Sequence, residues 1–595
     1  MQRDVAPKVY EFNGFRLERT QRRLLYQGHR VPLKGKILDL LLFLVEMRGQ
    51  LVVKEELMKT IWPDAIVEEN NITVSMSILR KTLGEDRSRP KFIETIPRQG
   101  YRFIAEVTEV TSERPATSGA RQRQDRIALQ DEPIDSLAVL PLELPQHTPT
   151  KDPNVEYLSD GISESIINIL SRIPELRVLA CSTIFRFRWK EVNPHEVGLL
   201  LNVRALLMIR VMRLGETLVI RGQLVKVSDG TQLWGEQYTR SPSDLLAVQD
   251  EIAKAISESL ELKLARQDQI RLIKQPTGNT EAYNLYLRGR YFWNKYSKEW
   301  VLKAIDAFKE AIMIDANYAL AYCGMADAYF RLSNVYFPPR EVLPKAKEAA
   351  LRAVGIDDNL AEAHSSLGLI RVYYDHDWTG AETEFRRALE LNPHLVLAHQ
   401  RYGSYLTFMG RFDEAIKHYE TALELEPFSL QINMNLATTY YLKGDYERAE
   451  NLLNDSIELE PNYMPTHFLL GLVHIQKKCF AEAIAEFQLI YKLDEEAYLT
   501  LGFMGYAHAL AGELAESETL LNILRDISLR KYVSPYSMLV IHLALGPKKR
   551  VFELLEQLYE ECNDWLVWLK VSPELKDLRE DPRFKDLLRR VGFTN

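Results

Sequence analysis

"EENNITVSMSILRKTLGED", residues 68–86, decides how the first hundred residues are read. Ile72, Met76, Leu79 and Leu83 recur at helical spacing and fall on one side of a helical wheel. The opposite side gathers Asn70, Thr73, Ser77 and Lys81, with Arg80 beside them. Such a helix packs on a core with one face and offers short polar groups on the other. A major groove about 12 Å wide admits a helix, and short side chains let it approach base edges. Almost at once follows "FIETIPRQGYRF", residues 92–103, which alternates like a strand, turns at Pro-Arg-Gln-Gly and resumes. Arg98 in that turn and Arg102 after it suit phosphates or a narrow minor groove. On spacing alone an ordinary surface helix and hairpin is an equal alternative, because Arg-Lys near a helix end also suits the helix dipole.

The order of elements around this stretch separates the two. "VYEFNGFRLERTQRRLLYQGHRVPL" supplies short alternating strands, "ILDLLLFLVEMRGQ" a buried helix ended by Gly49, and "KEELMKTIWP" a second helix stopped by Pro63. With "LRKTLGED" and "PRQGYRF", residues 8–106 resemble the OmpR/PhoB-type (CadC-like) winged-helix domain of bacterial transcription regulators. The resemblance implies an α+β fold whose third helix enters the major groove of double-stranded DNA while the wing meets the backbone or minor groove. By position, Asn70, Thr73 and Ser77 would face bases, and Arg80, Lys81, Lys91, Arg98 and Arg102 would contact phosphate. Tyr101 and Phe103 are expected to anchor the wing. Lys34 and Val53 stand where the family has Thr and Ser, so two helix starts lack good capping side chains.

Length and charge fit this division. A chain of 595 residues is too long for one core, so roughly three or four domains are expected. Residues 1–107 carry 19 Lys+Arg against 14 Asp+Glu, a net of +5, and the remainder 56 against 69, a net of −13. A basic head on an acidic body is the asymmetry expected when one domain meets a polyanion. The opening residues Met1–Asn13 are polar and charged, and the apolar run Ile37–Val45 is interrupted by Asp39 and far shorter than a membrane span. A soluble, cytoplasmic protein without membrane contact is expected. Cys181, Cys323, Cys479 and Cys562 form no C-x-x-C pair and read as reduced thiols. No receiver domain is expected ahead of the first strand.

Residues 108–134 mix Ser, Thr, Pro, Gly and charge without apolar period and read as a linker. Residues 135–266 then alternate strand and helix, followed by a strand meander and a long helix, which predicts an α/β domain with a mixed sheet. "YLSDGISESIINILSRI" and "GTQLWGEQY" give it a likeness to TolB-like domains. Asp160 is expected as a helix N-cap with Glu164 in the first turn, and Trp234 as core.

From residue 279 the chain repeats itself. A small residue recurs at Gly324, Gly368, Gly403, Ala437, Gly471 and Gly505, with steps of 35, 34, 34 and 34 from Gly368 onward. Second small residues follow at Ala415, Ala449 and Ala483, and prolines close units at Pro393, Pro427 and Pro461. This is the tetratricopeptide (TPR) pattern, an all-α solenoid over 279–540, with residues 541–595 expected to cap it. The longer step from Gly324 to Gly368 points to an insertion around "SNVYFPPREV". Aromatic clusters at "VYFPP", "VYYDHDW", "TTYYL" and "DWLVW" are expected to be packing.

No phosphate loop, H-E-x-x-H, G-x-S-x-G or kinase motif set is present, and His467 and His474 read as groove or surface residues. No catalytic residue, cofactor or metal is assigned. The expectation is a one-component, sequence-specific DNA-binding transcription regulator that takes a protein or peptide ligand in its TPR groove. A homodimer on DNA is compatible with it. The competing reading is a TPR scaffold whose winged helix makes only protein contacts.

Overall fold

The computed structural model describes residues 8–19, 23–26, 29–31, 35–61, 70–85, 90–96, 99–111, 134–142, 153–173, 175–179, 194–214, 217–241, 244–260, 277–295, 297–333, 336–546 and 548–593.

The N-terminal part begins with strands β1 (Lys8–Phe12), β2 (Phe15–Glu18), β3 (Arg23–Tyr26) and β4 (His29–Val31). Asn13 and Gly14 both take positive φ, +42° and +83°. That is the backbone a tight Asn-Gly hairpin requires, and it joins β1 to β2. Helix α1 (Gly35–Glu46) lies against the sheet with Leu38, Leu40, Leu41, Leu44 and Val45 buried, and stops before Gly49 at φ +79°. β5 (Leu51–Val53), α2 (Lys54–Ile61), α3 (Asn70–Leu83), β6 (Ile93–Ile96) and β7 (Gly100–Phe103) complete the winged helix, with sheet order β5-β7-β6. The expected linker begins later than residue 108. Thr108–Thr111 forms β8, pairing antiparallel with β1 from Glu11↔Thr108 to Lys8↔Thr111. Its alternating Thr and Val satisfy the β1 edge that would otherwise be open.

The middle domain has a five-stranded mixed sheet in the order β10-β9-β11-β12-β13. Its strands are β9 (Ser136–Pro141), β10 (Arg177–Val178), β11 (Ala205–Leu214), β12 (Thr217–Lys226) and β13 (Gln232–Arg240). β9 is parallel to both neighbours, and β11, β12 and β13 form the expected meander. Trp234 packs its indole over Gly222, where a Cβ would sit 2.7 Å from the ring. The helices are α4 (Pro153–Leu170), α5 (Pro194–Leu201) and α6 (Leu245–Ser259). Because α4 starts at Pro153, Asp160 lies inside the helix and is not its N-cap. Glu164 is equally misread as a first-turn acid. It is a hydrogen-bonded ion-pair partner of Arg290, at 3.0 Å to Nε and 2.5 Å to Nη2.

That pair exposes a larger difference. The boundary expected between residues 266 and 279 falls mostly outside the described residues, yet across it the middle domain and the repeats share one apolar core. Gly161 of α4 lies so close to Leu287 that a Cβ would come within 2.8 Å. Tyr283 donates to Gln249 Oε1 at 2.6 Å, and Ser165 donates to the same oxygen at 2.9 Å.

The repeats start with the helix Thr280–Trp293, capped by Asn279, whose side chain accepts from the Ala282 N–H. At most of the periodic small positions the residue of a first helix faces a ring of a second helix, in its own pair or, for Gly324, in the pair before. A Cβ at Gly324, Gly368, Gly403 or Gly471 would come within 2.9 Å of Phe308, Phe385, Tyr419 or Phe487 respectively. The 34-residue period is therefore a ring-on-glycine contact repeated along the array. The insertion after Gly324 lies partly in an 18-residue second helix, Pro339–Ile356, where the two units that follow have 14. A second periodic contact joins the same helix pairs. His364 meets Glu384 at 2.6 Å, His399 meets His418 at 2.9 Å and His467 meets Glu486 at 2.6 Å. His467 is thus a buried inter-helix pair, not a groove or surface residue. Cys323, Cys479 and Cys562 are free thiols.

The C-terminal residues close the array and then do something a cap does not. The helix Pro535–Leu545 packs on Tyr498–Ala511 so tightly that a Cβ at Gly502 would lie 2.3 Å from the Ser537 carbonyl oxygen. Beyond Lys548–Glu560, however, residues 563–593 turn back onto earlier units of the array. Trp568 meets Phe408 edge to face at 4.5 Å, and Tyr441 donates to Glu574 Oε1 at 2.5 Å. Trp378 donates its indole N–H to the Val591 carbonyl at 2.9 Å and stacks on Phe593 at 4.4 Å. Three of the four aromatic clusters expected as packing, "VYYDHDW", "TTYYL" and "DWLVW", each supply a residue to these long-range contacts.

Candidate nucleic-acid interface

The geometry of α3 and the wing follows from one buried charge pair. The apolar side of α3 is seated as its spacing requires, with Ile72, Met76, Leu79 and Leu83 all buried. Arg80, on the next position round, is 5% exposed. Its Nη2 donates to the Ile93 carbonyl at 3.0 Å and to Thr95 Oγ1 at 2.6 Å, both on the first wing strand. Its Nε lies 3.6 Å from Glu85 Oε2, and the guanidinium sits over the Tyr101 ring at 5.9 Å. Glu85 Oε1 in turn accepts the backbone N–H groups of Lys91, Phe92 and Ile93 at 2.6, 2.5 and 3.0 Å. Arg80 was expected at a phosphate, and this is corrected: its guanidinium is buried and turned onto a wing carbonyl, hydroxyl and carboxylate.

The motif "LRKTLGED" therefore contains the wing's mounting. Glu85 was missed because a carboxylate just past a helix end reads as solvated. The signal that could have found it is its position six to eight residues before the unpaired N–H groups that start a strand.

The wing itself has register Ile93↔Phe103, Glu94↔Arg102, Thr95↔Tyr101 and Ile96↔Gly100, and β7 also pairs with β5. Gly100 is required there, since a Cβ would lie 2.0 Å from the Val52 carbonyl oxygen. Tyr101 and Phe103 are buried, as expected for anchors. Arg102 stands on the half-exposed side with its cross-strand neighbour Glu94 at 3.2 Å, and Lys91 is exposed. Asn70, Thr73, Ser77 and Lys81 lie on α3, but their side chains fall outside the described residues, as does Arg98 entirely.

Elsewhere in the winged helix, positive charge is consumed locally. Arg16 pairs with Glu11 and Glu18, Arg23 with Glu18, Arg19 with Glu46 and Arg48 with Glu109. The surplus charge of the head is thus not displayed by these sheet arginines. Among the described residues no group of three or more His, Cys, Asp or Glu is placed to hold a metal ion. Among them, too, no helix is long and apolar enough to cross a membrane.

Comparison with known proteins agrees with this division. A family model described as "Transcriptional regulatory protein, C terminal" matches residues 28–103, and one described as "Tetratricopeptide repeat" matches residues 395–461. The transcriptional regulator HilA of Salmonella typhimurium is 24% identical over 445 residues, which is 74% of this chain and 75% of that protein. The transcriptional activator CadC of Escherichia coli is 29% identical over 116 residues, 19% of this chain and 23% of that protein. The solved DNA-binding domain of CadC aligns with 18% of this chain and 98% of its own length at 27% identity, with a TM-score of 0.16. The chain carries a winged-helix domain of the transcriptional-regulator type and a TPR region, and HilA and CadC, to which it is similar, are transcriptional regulators.

Proposed function

We propose that this protein is a one-component, sequence-specific DNA-binding transcription regulator acting in the cytoplasm. Its TPR region and its middle domain, read as TolB-like, take a protein or peptide signal. The observation that supports it most is the Arg80–Glu85 clamp, which fixes the wing to the end of α3 so that helix and ribbon present one rigid edge. A module reduced to protein contact has no need for that fixed angle between helix and ribbon. Asn70, Thr73 and Ser77 face bases, and Lys81, Lys91, Arg98 and Arg102 meet phosphate. Arg102 exchanges Glu94 for a phosphate oxygen when DNA arrives. A homodimer would read two half-sites about 10 base pairs apart.

The test is selection of duplexes from a random pool by the full chain. An enriched motif is expected, and it should relax when Asn70, Thr73 and Ser77 are changed to Ala together. A pool that stays random after several rounds leaves the scaffold reading in its place.

A further inference from the structure

The first helices of TPR pairs form the face on which the proposed function seats a partner, and in this structure that face already carries residues 563–593. The contacts are specific. Trp568 lies edge-on to Phe408, the carboxylate of Glu574 accepts from the Tyr441 hydroxyl, and Phe593 stacks on Trp378. Phe408 and Tyr441 lie on first helices and Trp378 begins the second helix of the unit before them, so the contacts reach three successive units. Gly592 is pressed against the His376 carbonyl at φ +83°, where a Cβ would lie 2.7 Å away. We infer that residues 563–593 are a built-in ligand of this face. The partner is then a peptide segment with the same chemistry, two large aromatic side chains flanking a carboxylate, and it binds by displacing this tail. The inference rests on the reading that the TPR region takes a protein partner.

Two features make displacement reasonable. The tail has little regular structure of its own: its first half is two short 3-10 turns, Asp564–Trp568 and Pro573–Leu578, and only Pro582–Arg590 is α-helical. Its grip also includes an expensive contact. Glu574 is partly buried, and the loss of water pushes its carboxyl above the usual range, with a phenol rather than a guanidinium as hydrogen-bond partner. A competing carboxylate that keeps more of its water would lose less on binding.

The experiment uses the full chain and a fluorescent synthetic peptide copying residues 563–593. In the tail-weakened chain, Trp568→Ala with Phe593→Ala, the peptide is expected to bind at least tenfold more tightly than in the unaltered chain. Adding Phe408→Ala to that chain should remove binding. Equal binding to both chains overturns displacement while leaving the face as a partner site. No binding to either, with both chains folded by circular dichroism, overturns the inference and the partner reading together. Self-association of the unaltered chain that the tail substitutions abolish would assign the face to a second copy and also overturn it. Hydrogen exchange on the unaltered chain decides independently of any variant's folding. Residues 563–593 should open faster than Val396–Phe408 and Leu430–Lys443, and protection equal to those helices overturns the inference.

Discussion

Helix α3 and the first helices of the TPR pairs are both amphipathic rods with small residues on one side, yet they use those residues in opposite ways. On α3 the apolar seat is filled by Ile72, Met76, Leu79 and Leu83, and the proposed function assigns the small polar positions to base edges. In the repeats the small positions turn inward, and Gly368 or Gly403 is small because Phe385 or Tyr419 occupies the space a side chain would need. The neighbours of α3 lie within its own domain, from α1 to the wing, so burial there is a comparatively local matter. The exposed side of the repeats is met by a segment from the far end of the chain, with 213 residues between Trp378 and Val591. One small-residue face is thus a candidate reading surface, and the other is a packing seam with a covered side.

The sharpest way to break this comparison is at Arg80. If it belongs to the wing's mounting, Arg80→Ala or Glu85→Ala removes half of a buried charged pair and should cost about 3–5 kcal/mol in denaturant unfolding of the winged helix. Loss of DNA affinity with unchanged stability would return Arg80 to the phosphate side. The matching change in the repeats is Phe385→Ala, which empties the space over Gly368 and should cost about 3–5 kcal/mol without affecting duplex binding. If it does affect binding, the two regions do not work independently.

Acid separates them next. Burial and the neighbouring His399 hold His418 down at about 4 in the folded protein, against an ordinary value near 6.5. The folded state therefore binds fewer protons than the unfolded chain between these values, and stability falls as pH drops from about 6.5 to about 4. His364 works the other way. Its hydrogen bond to Glu384 raises it, so its contribution is present in acid and fades as pH rises through its folded value. Melting of His418→Gln should show a flatter acid limb, and an unchanged limb would contradict the pair's assignment. The smallest effect is expected at Arg102. Its pair with Glu94 is more than a third exposed, so Arg102→Ala should change stability by less than about 1 kcal/mol in thermal unfolding.

These regions also differ in how far their sequences could be read. The winged helix was legible to the level of strands and seat because Ile72, Met76, Leu79 and Leu83 declare a face by spacing. Its Arg80–Glu85 clamp was not, because nothing in a run of charges says which of them turns inward. The repeat period was legible from its glycines, although not that His467 pairs with Glu486 across two helices. Least legible were the contacts of longest range. Glu164 looked like a first-turn acid because Arg290, its partner, lies 126 residues on. The tail looked like a cap because pattern along the chain cannot show a return to Trp378.

The interface itself is best tested by the salt dependence of duplex binding to the full chain. Each phosphate contact contributes about −0.9 to the slope of log affinity against log salt. Removing Lys81, Lys91, Arg98 or Arg102 singly should make that slope shallower by about one, and Arg80→Lys should leave it unchanged in protein that remains folded. A flat slope, or one that responds to Arg80 and ignores the other four, would contradict the account.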